Sequence, residues 1–100
     1  SVDNLIRISL IRVQAHERYV TEIKGKVGCI TFYMEPYAPV HVEKLPQLLD
    51  KYKNTLQFSA KGTPNFVLKY KKYGLVEKEA DLMISLTQRI LKEMAILYTE

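Results

Sequence analysis

Few side chains in this sequence could do acid–base, nucleophilic or metal chemistry, and their spacing limits what each can do. The two imidazoles, His16 and His41, are far apart in the chain, and neither has a carboxylate at the spacing of a metal pair or a general base. Both are expected to be solvent-facing or locally satisfied. Cys29 is the only cysteine, so it cannot close an internal disulfide or supply a cysteine-rich zinc site. Its setting, Cys29-Ile30-Thr31-Phe32, reads as an apolar strand in which a thiol acts as a small buried hydrophobe. Glu77, Glu79 and Asp81 could form a carboxylate cluster, but acids at a helix start are explained by the dipole they complement. The chain contains no Gly-rich phosphate cradle, dinucleotide fingerprint or nucleophile elbow. No catalytic, cofactor-binding or metal-binding residue is expected, and the chain is expected not to be an enzyme.

The segment Lys69-Tyr70-Lys71-Lys72-Tyr73 interleaves cations with aromatics, as single-strand binders do. It lies in the most basic part of the chain. The net charge is +4, but residues 41–74 carry +5 while residues 75–100 carry −2. One reading is therefore a free-standing nucleic-acid-binding domain that uses Lys69, Lys71, Lys72 and Tyr73. Tyr70 falls in phase with Phe66 and Leu68, which assigns it to a core face instead.

The elements that must position these residues follow from periodicity. Residues 3–17 lack Gly and Pro, and their apolar residues recur at helical spacing: Val2, Ile6, Leu10 and Val13 form one ridge, with Leu5, Ile8, Ile11 and Ala15 beside it. Arg7, Gln14 and Arg18 make a narrow polar stripe. A helix apolar over most of its circumference is expected to pack on more than one side. Residues 20–34 read as two strands around a Lys24-Gly25-Lys26 turn, ended by Pro36 and Pro39. Residues 41–53 read as a short helix in which Pro46 fits only the first turn or a distortion. Leu56, Phe58 and Ala60, then Phe66, Leu68 and Tyr70, alternate on either side of Lys61-Gly62-Thr63-Pro64, which is a hairpin. Residues 75–98 form the longest helix signal, with Leu82, Leu86, Ile90 and Leu97 on its apolar side. Phe58 and Leu86 are expected to be buried together where this helix meets the second hairpin. The order is α-β-β-α-β-β-α. It predicts a single α+β domain over residues 1–100, with a small antiparallel sheet of two hairpins packed by helices.

Composition bounds the remainder. At 100 residues there is room for one core. Hydrophobic residues at 47% and charged residues at 26% fit a folded domain and not a disordered tail. No apolar run approaches the roughly 20 residues needed to span a bilayer. No secretory leader pattern opens the chain, and a reduced, cytoplasmic setting without membrane partners is expected.

Several segments together resemble one family. Val40-His41-Val42-Glu43-Lys44-Leu45-Pro46-Gln47-Leu48-Leu49, then Leu56-Gln57-Phe58, Gly62 and Phe66-Val67-Leu68-Lys69, look like the C-terminal domain of the bacterial transcription-repair coupling factor. Asp3-Asn4-Leu5-Ile6-Arg7-Ile8, the Thr21-to-Lys26 turn and the last helix fall in the same order. The resemblance covers roughly residues 2–98. Two departures stand out: Arg18-Tyr19-Val20 replaces a Leu-Gly-Ile-like helix end, and Pro46 falls inside a family helix. The resemblance implies a non-catalytic regulatory domain, an autoinhibitory clamp. The parent is an ATP-dependent DNA translocase that binds duplex DNA, displaces stalled RNA polymerase and recruits UvrA for excision repair. ATP and magnesium belong to its motor domains and not to this region. The implied partner is the parent's own UvrB-like module. The family's acidic segment just upstream is absent here, so Arg7, Gln14 and Arg18, read as exposed and adjoining it, are the candidate docking residues.

Overall fold

The computed structural model describes residues 2–26, 28–53, 55–70 and 76–98. Helix α1 (Val2–Glu17) leads into β1 (Val20–Lys26) and β2 (Cys29–Met34). A 3₁₀ turn (Val42–Lys44) and α2 (Leu45–Lys51) follow, then β3 (Leu56–Ser59) and β4 (Asn65–Lys69). Helix α3 (Val76–Glu93) tightens into a 3₁₀ segment (Met94–Tyr98). The sheet is wholly antiparallel in the order β1-β2-β4-β3, so the two hairpins join through β2 and β4. The fold is α+β, as the order of elements predicts.

Alternation fixes which face of the sheet is covered. Ile30, Phe32 and Met34 of β2 are buried, as are Phe66 and Leu68 of β4, while the residues between them are half-exposed. They form one core with Leu48, Leu56, Ile90, Leu91, Met94 and Leu97. Three expectations about burial are corrected. Cys29 falls on the outward face with Thr31 and Tyr33 and is only half-buried, because register with Ile30 turned inward forces it out. Phe58 and Leu86 are half-buried rather than buried. Phe58 sits on the short outer strand β3, where only one side has a neighbouring strand, and its ring lies 4.8 Å from that of its register partner Phe66.

The turns separate local from long-range causes. Strand β1 runs straight through the expected Lys24-Gly25-Lys26 turn and pairs Lys26 with Cys29. The chain reverses instead around Gly28, whose φ of 91° is open to glycine without strain. Gly25 serves packing: a Cβ there would collide with the Met83 methyl of α3. Gly62, at φ 64°, makes the expected turn of the second hairpin. Pro46 lies in the first turn of α2, where its missing N–H is harmless, and the 3₁₀ turn before it absorbs the distortion. Helix α1 ends without glycine, so Tyr19 takes the left-handed conformation (φ 61°) as its N–H bonds to the His16 carbonyl at 3.2 Å. Among the described residues no helix is long and apolar enough to cross a membrane.

Candidate functional site

Helix α1 decides what surface this domain offers. Its residue Arg7 reaches Asp81 and Ser85, and Arg18 reaches Leu91, so α1 and α3 run side by side in the same direction. Arg7 Nη1 lies 3.3 Å from Asp81 Oδ1, and Nη2 donates to Ser85 Oγ at 2.7 Å. Arg18 Nε donates to the Leu91 carbonyl at 3.0 Å. Gln14, between them, is half-buried, and its Oε1 is buried without a hydrogen-bond partner among the described residues.

This corrects the reading of Arg7, Gln14 and Arg18 as exposed docking residues. They form the seam with α3 and are half-buried, because the side of α3 that carries Asp81 and Ser85 is the side α1 meets. The expectation that α1 packs all round is corrected with it. Only Ile11 and Ala15 engage the core, and the ridge Ile6, Leu10 and Val13 stands 55%, 52% and 57% exposed. Three apolar side chains at i, i+4 and i+7 on a bare helix face form a continuous patch, unlike scattered surface hydrophobes.

Beside this ridge a groove of about 1080 Å³ runs between α1 and β1. Ile8, Ile11 and Ala15 of α1 and Ile23 of β1 give it an apolar lining. Arg12, His16, Glu17, Glu22, Glu35 and Tyr37 supply its polar groups.

The remaining chemistry-bearing residues are dispersed. His16 is exposed on α1, whereas His41 Nδ1 lies 3.4 Å from Glu43 and its backbone N–H holds the Leu97 carbonyl at 2.7 Å. Among the described residues no three His, Cys, Asp or Glu side chains are grouped as metal ligands would be. Lys69 is exposed at the end of β4, while Lys71, Lys72 and Tyr73 lie outside the described residues. Tyr70 packs partly against the core, as its phase requires, and its hydroxyl donates to the Lys26 carbonyl at 3.3 Å. On the outward sheet face, Lys24 lies 5.7 Å from the Tyr33 ring centre and pairs with Glu22 at 3.7 Å.

Sequence reasoning found the ridge as a hydrophobic pattern but assigned it to the core. The groove left no sequence signal, because it joins residues of α1 to an edge strand whose position depends on the sheet order. Comparison of the chain with protein-family models, with curated proteins and with solved structures finds no match.

Proposed function

We propose that this chain is a non-catalytic docking module: the C-terminal regulatory domain of a transcription-repair coupling factor, acting as an autoinhibitory clamp. In this reading it seats on the parent's UvrB-like module, covers the UvrA-binding surface and restrains the ATP-driven motor until RNA polymerase is engaged. ATP, magnesium and duplex DNA are bound by the parent's other domains, in the cytoplasm, and this chain contributes binding surface alone.

The observation that carries the reading is the bare ridge of Ile6, Leu10 and Val13 on α1. Full burial of an aliphatic side chain of this size contributes about 1.5–3 kcal/mol. Half-exposed, the three leave much of that for a partner to recover. The α+β order and the sequence resemblance point to which partner.

The test begins with the reading frame, which should continue upstream through helicase motifs. The UvrB-like module encoded there is then titrated with this domain by calorimetry. Leu10→Lys and Val13→Lys should each weaken binding by about tenfold or more, equivalent to about 1.4 kcal/mol. Unchanged affinity in both variants, or no binding by the unaltered domain, rejects the reading.

A further inference from the structure

Strand β1 is the outermost strand of the sheet, so one side of its backbone pairs with β2 and the other has no neighbouring strand. Among the described residues no backbone group of a loop or helix hydrogen-bonds to that outer side between Thr21 and Gly25. Exposed edges recruit further strands, and proteins usually blunt them with charge, bulges or cover. Here the blunting is confined to the ends of β1. The register is irregular between Val20 and Glu22, and Lys26 ends the strand. From Glu22 to Lys26 the pairing is regular.

The groove opens beside this edge. Its apolar lining comes from Ile8, Ile11 and Ala15 on α1 and Ile23 on β1 itself. An edge strand flanked by a helix across an apolar groove suits strand addition: backbone hydrogen bonds supply affinity, and alternate side chains enter the groove. The seven residues of β1, at about 3.3 Å each, give an edge of about 23 Å. The charged groups at the groove are Glu17, Glu22 and Glu35 against Arg12, and all four are exposed. That balance favours cations on the incoming chain.

We propose that the groove between α1 and β1 binds an extended peptide segment of alternating apolar and basic residues, which adds to β1 as a fifth strand. A second copy of this chain is a poorer occupant. Its β1 carries Glu22 as well as lysines, and it would bring a second α1 toward a groove that already has one. The inference goes beyond the clamp reading, since it uses the groove and the strand edge rather than the ridge.

The test is an NMR titration of the ¹⁵N-labelled domain with a synthetic peptide alternating lysine and isoleucine. Two further peptides are N-methylated on one or the other alternate set of backbone amides, and a fourth has glutamate in place of lysine. Only every second N–H of an added strand faces β1. One methylated peptide should therefore bind at least tenfold more weakly than the parent peptide while the other retains its affinity. The glutamate peptide should not bind. Amide shifts should concentrate on Thr21 to Lys24, and Glu22→Lys with Glu35→Lys should weaken binding at least tenfold. Leu10→Lys, aimed at the clamp surface, should leave peptide binding intact, so the two proposals fail separately. Equal binding by both methylated peptides, shifts centred elsewhere, no binding at millimolar peptide, or self-association of the domain through β1 would each overturn the proposal.

Discussion

The hydroxyl of Tyr98 donates to the backbone carbonyl of Arg18, tying the last turn of the chain to the end of its first helix. The Tyr98 ring also lies 5.4 Å from that of Tyr19. Burial raises the Tyr98 pKa well above the ordinary value of 10.0; Tyr19 adds to the rise and Arg18 opposes it. A raised pKa means that the folded state keeps a proton that the unfolded chain releases. The stabilisation is complete below about pH 10 and is lost as pH climbs toward the folded value. Tyr98→Phe should reduce stability by about 1 kcal/mol at neutral pH, the net worth of one hydrogen bond. It should also lose stability less steeply than the unaltered protein above about pH 10. Urea unfolding at several pH values measures both, and parallel curves would show that Tyr98 does not contribute the alkaline loss.

Tyr19 provides a second test at the same junction. Its φ of 61° burdens any residue with a Cβ, by about 1 kcal/mol. Tyr19→Ala and Tyr19→Gly both remove the ring contact with Tyr98, so the difference between them reports the backbone alone. The glycine variant should be the more stable by about 1 kcal/mol, against the usual order of these residues in a helix. Denaturant midpoints at equal slope decide it.

Phe66 and Phe58 face each other across β4 and β3, yet only Phe66 is fully buried. Phe66→Ala should cost about 3–5 kcal/mol, enough to threaten the fold of a small domain. Phe58→Ala, from a half-exposed position on an outer strand, should cost about half as much. Equal losses would mean that the outer strand is covered in solution.

The second hairpin was readable in full, because alternation in β3 and β4 and the turn at Gly62 are local properties of the chain. Gly25 was misread for a non-local reason: it meets Met83, far along in α3, and its neighbours were taken for a turn. The faces of α1 were misread in the same way. Periodicity separates an apolar ridge from a polar stripe, but only the position of Asp81 and Ser85 reveals that the stripe faces inward. Neither groove nor strand edge could be read from the sequence, since both depend on β1 lying outermost in the sheet.

The basic segment around Lys69 is tested by titrating the domain with single-stranded and duplex DNA at two salt concentrations. If its lysines only solvate a surface, dissociation constants should fall in the non-specific range of about 10⁻⁴ to 10⁻⁶ M and weaken steeply with salt. Changing Lys69, Lys71 and Lys72 to Ala should flatten that dependence. Tight, salt-resistant binding to single strands that also requires Tyr73 would favour a stacking site and a nucleic-acid-binding function.

Helix α1 rests on α3 largely through Arg7 and Arg18, bonds for which water competes, and only Ile11 and Ala15 engage it in the core. Such an element forms its own unit of cooperativity: it can open while β2, β4 and α3 remain closed around their shared hydrophobic centre. The domain therefore has a sub-global state in which the first helix swings free and the rest of the fold persists. Hydrogen exchange under mild denaturant should resolve α1 as a separate, earlier-opening foldon, and a partner seated on its ridge should merge the two units into one.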